Sequence, residues 1–501
     1  MTMLVENLPV LPVVIPLLAS VIAVMMPTPM LAWVVSMLAT GSAVLAAVLN
    51  WGRVSDGSIV IYALGGWEPP WGIAFVLDPA SGFTAGVVTV LSFAATLYAR
   101  GLFEKEISTA SLPRVYGAWL LTIGGLLGLV MTGDAFNLFV FLEISSLAAV
   151  TLVAMGAEKD RRALTAAFNY LVIGAIGATF YVIGVGFVYA ITGTLNMADL
   201  AARLPGLAGN TALLAGFGFM VIGMMVKAAV FPLHIWLPAA YAYAPSAVSV
   251  MLAAVATKAA LYVMLRIIFT VFAGLPVLTD MVLQSVILPL ALMAMFSGTI
   301  LAIYEQDLKK MLAQSSIAQI GYIVFGFGLA SPAGIAAGFI HIANHAMMKA
   351  GLFMAVGAMA LSLGRRARLA TIVGLGRVMP LTASGFVICS LSLLGLPLTA
   401  GFISKLWLVR AVLETPSFYL PGWLLIGLVL LSSALALVYV WKVIEVLYAH
   451  PTAETPAKRP ENPVIWIPLW LVALANIYFG IQAEAIIDSA MLATTTLFGQ
   501  R

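Results

Sequence analysis

The sequence predicts an all-α polytopic membrane protein with about fourteen transmembrane helices, ten of them arranged as two inverted five-helix repeats that each contain a broken helix. Three observations predict this class. Hydrophobic residues make up 63% of the 501 positions and charged residues only 9%, against roughly 25% charged in soluble chains. Apolar runs of about 20 residues or more, the length that crosses roughly 30 Å of hydrocarbon as a helix, follow one another along the whole chain. The basic residues between those runs alternate from one side to the other.

In chain order the runs predict spans over 4–25, 31–50, 73–99, 113–131, 134–156, 163–191, 211–241, 245–272, 281–303, 310–330, 332–363, 379–410, 421–447 and 463–482. The first has Glu6 before it and no basic n-region, so it reads as a membrane helix and not as a cleaved leader. The segment 492–498 is too short to cross. The longest polar loop is 453–462, rich in proline and charge. Loops after spans 3, 5, 9, 11 and 13, with their flanking helix ends, hold 15 of the 24 Lys and Arg, among them Lys309, Lys310, Arg365, Arg366, Lys458 and Arg459. The other side holds five, Arg53, Arg203, Arg266, Arg410 and Arg501, and four lysines fall inside spans. Positive loops face the cytoplasm, which places both termini outside it. The formal charge of +4 comes from these loops and carries no nucleic-acid implication.

Spans 7 and 12 are interrupted. Span 7 breaks after Lys227, near Pro232 and Pro238, and span 12 breaks within LGLPLTAGF (394–402), just before Lys405. Five spans separate them, an odd number, so spans 4–8 and 9–13 read as inverted repeats of the transporter kind. The chain then divides into 1–112 (three N-terminal helices), 113–272 (first repeat), 280–447 (second repeat) and 448–501 (C-terminal loop and helix 14).

Ionisable residues at membrane depth are costly and mark function by default. Glu143 is the only acid deep inside a span, and it is expected to pair with Lys227, which sits where span 7 opens. The bland alternative for Lys227 is that it satisfies carbonyls freed by the break. Lys258 lies about midway down span 8 and extends the line. In HIANHAMMK, residues His341, His345 and Lys349 recur at i, i+4 and i+8, one face of a helix rising about 6 Å per step, a spacing suited to a proton relay. The two histidines could instead pack as core residues. They could also bind a metal, but no third ligand is evident. Lys405 follows the second break as a terminal donor or acceptor, with carbonyl satisfaction as its alternative. Ser145, Ser146, Thr257, Ser315, Ser316, Thr399 and Ser404 could hold water or simply pack. The single cysteine, Cys389, excludes an internal disulfide. No phosphate loop, dinucleotide fingerprint, haem or iron–sulfur spacing is present, so no cofactor is expected.

The segment around Glu143, the stretch KAAVFPLHIWLPAAYAYAPSAVSVMLAAVATK, the loop YEQDLKKMLAQSSIAQIGY, HIANHAMMK and GLPLTAGFISK together resemble the antiporter-like family. That family includes the proton-pumping membrane subunits of respiratory complex I and the large subunits of Mrp-type multisubunit cation/proton antiporters. The resemblance covers about residues 75–450. It implies a fourteen-helix core with a hydrophilic axis across the membrane plane, and by motif its proton-moving groups fall on Glu143, Lys227, Lys258 and Lys405. Single-domain length and Lys405 in place of a glutamate are most similar to the Mrp branch. The expected role is therefore a proton-translocating subunit of a Na+/proton antiporter in a bacterial inner membrane, partnered by other subunits. The alternatives are a proton-pumping subunit of complex I or a membrane-bound hydrogenase, and a membrane anchor whose charges are structural.

Overall fold

In the computed structural model, residues 6–415, 420–450 and 461–499 are described. Lys458, Arg459 and Arg501, and most of the polar loop 453–462, lie outside the described residues. Among the described residues, ten single helices of 19–32 residues are long and apolar enough to cross a membrane. Four further spans complete the expected fourteen: the short first helix, a polar one, and the two broken ones.

The helices are α1 Leu11–Met25, α2 Pro29–Val54, α3 Pro79–Glu106, α4 Leu112–Met131, α5 Ala135–Ala154, α6 Arg162–Thr192, α7 Thr211–Lys227, α8 Trp236–Tyr243, α9 Ser246–Val271, α10 Pro276–Tyr304, α11 Leu308–Gly328, α12 Pro332–Leu363, α13 Pro380–Leu394, α14 Ala400–Glu414, α15 Gly422–Tyr448, α16 Pro463–Ile481 and α17 Glu484–Phe498. Helices α7 and α8 are the halves of span 7, and α13 and α14 are the halves of span 12. Helix α17 has 15 residues, about 22 Å, and packs beside α3 and α12.

The run at 73–99 resolves differently from its prediction. Ala74–Leu77 is a strand, β2, paired antiparallel with β1 (Val60–Ala63). The helix starts only at Pro79, because Asp78 and Ser81 form a reciprocal capping box and proline at the first helical position cannot continue a strand ladder. Pro238 does not break span 7: it sits in the first turn of α8, where its missing N–H removes no helical bond. Arg266 is not a loop residue. It is 7% exposed and ion-paired with the fully buried Asp78, while its Nε donates to Tyr262 Oη at 2.6 Å.

The two repeats superpose in their hydrogen bonding. Before α5, Asp134 caps the helix by accepting from Asn137 N at 2.6 Å. The chain there bridges the loop after α6 through Ala135 N to Leu195 O and Met197 N to Gly133 O, at 2.8 and 2.9 Å. Before α11, Asp307 caps by accepting from Lys310 N. That chain bridges the loop after α12 through Leu308 N to Ala367 O and Leu369 N to Gln306 O, both 3.0 Å. The same bridge thus joins the same elements of α4–α9 and of α10–α15. The bridges lie at opposite ends of the molecule. Arg366 ties Asp307 to Asp160, which follows α5, whereas Asp134 precedes α5. The repeats are therefore inverted.

Small residues bring the helices close enough to hold this frame. A Cβ on Gly184 of α6 would lie 2.7 Å from Gly216 O of α7, and one on Gly298 of α10 would lie 2.6 Å from Ala318 N of α11. Lipid offers no hydrophobic drive for helices to associate, so such close backbone contact supplies it.

Candidate functional site

Lys227 ends α7, where Ala228 and Ala229 leave the helix and Ala229 turns to positive φ. The carbonyl freed at Val226 accepts from Trp236 Nε1 at 3.0 Å. The Lys227 ammonium donates to Ser146 Oγ of α5 at 2.6 Å. Among the described residues no ion pair joins it to Glu143, contrary to the expected pairing. Glu143 lies one turn from Ser146 on the same face of α5, and its Oε1 is buried with no hydrogen-bond partner. The reason is local: the Ser146 hydroxyl stands nearer the end of α7 and intercepts the ammonium. A cavity of about 30 Å³, enough for one water, adjoins Lys227 and is lined by Ser145, Ser146, Tyr170, Trp236, Ala256 and Ala260.

Lys258 is fully buried in α9 and donates to Ala253 O, five residues back. An α-helix would use that carbonyl for its i→i+4 bond. Leu252–Ala256 is instead a turn of π-helix, and such turns free backbone acceptors at functional sites. Ala256 and Ala260 face the Lys227 cavity, and Lys258, two residues from each, projects from the other side of α9. The helix thus stands between Lys227 and Lys258.

Beyond α9 the predicted residues converge. Lys258, Lys349 and His341 are the ionisable neighbours of His345. His345 is fully buried and neither ring nitrogen has a hydrogen-bond partner. Its ring lies 6.1 Å from that of His341, nearly parallel. His341 is held at both ends, Nδ1 by Ser404 Oγ at 2.9 Å and Nε2 by Gln319 Oε1 at 3.0 Å. Lys349 donates to Leu312 O at 2.8 Å and to Ser315 Oγ. Lys405, 7% exposed, donates to Leu393 O and Leu394 O, both at 2.9 Å, and to Ser433 Oγ at 2.6 Å, and it lies 5.2 Å over the Tyr322 ring. It does satisfy the carbonyls of the second break, which Gly395 ends in a left-handed turn.

Sequence reasoning named Ser146, Thr257, Ser315 and Ser404 as water-holding hydroxyls, and each of these contacts a site residue directly. It missed Gln319, Tyr322 and Ser433. The signal available was spacing: Ser315, Gln319 and Tyr322 recur at helical intervals along α11, a polar stripe in an otherwise apolar span.

A lysine at the helix centre costs about 2.5–3.5 kcal/mol by insertion scales, so four cost roughly 10–14 kcal/mol. Around Lys258, His345 and Lys349, among the described residues, there is no carboxylate to offset them. Adjacent cations in a low-dielectric interior repel, so these groups cannot all be charged together and must share fewer protons than they have sites. That is the condition for handing a proton along.

A larger cavity, about 460 Å³, opens at the basic-loop face between Glu106, Asp160, Lys309 and Arg366. Arg366 spans the two repeats there, 2.8 Å from Asp307, 3.5 Å from Asp160 and 4.4 Å over the Tyr243 ring at the end of α8.

Residues 132–435 match the family model described as NADH:quinone oxidoreductase/Mrp antiporter, TM. The chain belongs to this family. Among its relatives it is 38% identical to the N subunit of the NADH-quinone oxidoreductase of Desulforudis audaxviator, over 97% of this chain and 98% of that one. It is 30% identical to the D subunit of the Na(+)/H(+) antiporter of Alkalihalophilus pseudofirmus, over 85% of each. Among solved structures, a chain of the Mrp complex from Dietzia sp. superposes with a TM-score of 0.89 at 26% identity, covering 99% of this chain and 98% of that one. A chain of the membrane-bound sulfane sulfur reductase, an archaeal respiratory membrane complex, superposes at 0.86 and 29% identity over 98% and 97%. The protein is thus a multi-pass membrane subunit of a complex I-like or Mrp antiporter assembly. Relatives of both kinds match over nearly its whole length, so the family alone does not favour the antiporter.

Proposed function

We propose that this chain moves protons within the membrane along Lys227, Lys258, Lys349, His345, His341 and Lys405, with Glu143 biasing Lys227, as the proton-translocating subunit of a Na+/proton antiporter complex. The observation that carries the reading is the buried cluster of bases around His345, which has no counter-charge and ends at Lys405. In this reading Na+ crosses on a partner subunit; among the described residues no three His, Cys, Asp or Glu come together. The chain sits in a bacterial inner membrane with both termini outside, and its working units are 113–272 and 280–447, flanked by 1–112 and 448–501. Similarity to the D subunits of Na(+)/H(+) antiporters supports the coupling to cation exchange.

The second reading is a redox-driven complex, in which the same row is worked by quinone or hydrogen chemistry elsewhere. The 38% identity to a quinone oxidoreductase subunit favours it. The test uses inverted membrane vesicles holding the assembled complex, with respiration inhibited. Added Na+ should release internal protons, and Lys258→Ala should abolish that release at normal assembly. Full release by Lys258→Ala would remove the row from the mechanism. No Na+-elicited release by the unmodified complex would overturn the antiporter reading in favour of the redox one.

A further inference from the structure

Helix α9 stands between two helices that carry site residues. Its middle packs on α7, which ends at Lys227, and its π-turn packs on α12, which holds His341, His345 and Lys349. It is pinned at two places. At its start, Glu106 of α3 accepts from Ser246 N and from Ser246 Oγ, each at 2.6 Å. Towards its other end, Arg266 is ion-paired with Asp78, and its Nε donates to Tyr262 Oη at 2.6 Å. Between these pins the π-turn Leu252–Ala256 packs in one residue more than plain α-helix would hold. Such a turn leaves a carbonyl without a helical N–H. Here Ala253 O takes the Lys258 ammonium, and Leu252 O accepts from Tyr241 Oη at 2.9 Å. Ala256 and Ala260 line the cavity beside Lys227, whereas Lys258, two residues from each, lies about half a turn away round the helix. A helix pinned at two places cannot rotate as a body between them, so only a change of register inside it can turn Lys258 towards Lys227.

We infer that the π-turn of α9 slides: by passing Lys258 it turns this lysine towards Lys227 and back, while the pinned ends of the segment stay in place. This rests on the proton-translocation reading above. Each residue that the turn passes moves by one place along the helix, about 100° of rotation and 1.5 Å of rise. Lys258 then takes the place that Ala259 now holds, beside Ala260 and the cavity of about 30 Å³ that adjoins Lys227. The slide and the lysine compete for one acceptor. With the turn before Lys258, Ala253 O is spare and holds the ammonium. With the turn beyond it, the helix takes Ala253 O for the Thr257 N–H, and the amine is released. A charged donor bonds roughly twice as strongly as a neutral one, so a loaded Lys258 draws the turn back and an unloaded one lets it go. Neutral Lys258 therefore swings towards Lys227. One N–H bond of the Lys227 ammonium breaks as one forms on the Lys258 amine, and the new ammonium returns to Ala253 O, away from Lys227. The second π-turn, Ile267–Val271, lies beyond the pin at Arg266 and takes no part.

The test has two arms on the assembled complex in vesicles. In the first, deletion of Ala254 removes the extra residue and leaves every later residue of α9 in its present place. Proton exchange should slow by at least about tenfold at normal assembly, because Lys258 then no longer reaches Lys227 as its acid–base partner. Full exchange by the deletion variant would overturn the slide. The second arm measures hydrogen–deuterium exchange of the backbone amides of residues 252–262 in the unmodified complex, idle and during proton exchange. Uptake should be several-fold faster during proton exchange, as the turn passes through these residues, and the deletion should remove that difference. Equal uptake in the idle and the working complex would overturn the slide, and it does so even where the deletion variant fails to assemble. Lys258→Ala run in the same series separates the two claims. If it keeps full exchange, the translocation reading fails; if it abolishes exchange while the deletion does not, the slide alone fails.

Discussion

The two broken helices invite comparison, because the repeats place a lysine at each and then use it differently. At the first break the freed Val226 carbonyl is taken by the Trp236 indole, and Lys227 is left with one hydroxyl, a small cavity and a nearby carboxylate oxygen that has no partner. At the second break Lys405 itself takes two freed carbonyls and a serine, and lies over a tyrosine face. Repeats with the same fold thus yield one loosely held ammonium and one tightly held. A lysine that exchanges partners suits the loading end of a proton path. A lysine that doubles as structural support cannot be removed without cost to the fold.

The largest effect should come from Lys405→Ala. It is expected to abolish exchange and also to lower assembly, because the Leu393 carbonyl loses its donor at about 1–3 kcal/mol, and Leu394 O is left with Ser433 alone. Detergent-solubilised complex yield, read beside transport, checks both. Lys227→Ala should remove as much exchange, at least about a hundredfold if it is an obligatory acid–base group, but leave assembly unchanged; an equal loss of assembly would erase the contrast between the breaks. Glu143→Gln and Ser146→Ala sharpen it further. The first should cut exchange by about tenfold, since among the described residues Glu143 is the carboxylate that acts on the ammonium. The second should cut it less, because Glu143 can still take Lys227. Reversal of that order would make the serine the functional partner.

Arg366→Ala releases the clasp among Asp160, Asp307 and Tyr243 at the basic-loop face. Asp307 in this clasp is buried and Arg366 half-buried, so removing the arginine leaves a buried carboxylate short of its partner at about 1–3 kcal/mol; assembly should fall slightly and exchange should change by only a few-fold. The smallest effect belongs to Asp160. Its hydrogen bond to Arg162 holds the carboxyl below the usual range. A lowered folded pKa adds stability above the ordinary carboxylate pKa of about 3.9 and loses it as pH falls through the lowered value. Asp160→Asn should therefore leave melting unchanged in acid below that value and slightly reduce it at neutral pH.

Much of this protein was legible in its residues. Uninterrupted apolar length fixes the spans because a bilayer leaves no other way to satisfy backbone groups. Helical spacing fixed His341, His345 and Lys349 to one face, and two odd-spaced breaks pointed to inversion. Contacts between residues far apart in the chain were not legible. The sequence could not say that Ser146 would reach Lys227 before Glu143, that Arg266 would fold inward onto Asp78, or that a π-turn would hand Ala253 O to Lys258. Those depend on sub-ångström competition between acceptors brought together by packing. Composition and period carry membrane depth and helix face, while partner choice is settled only when the helices close on one another.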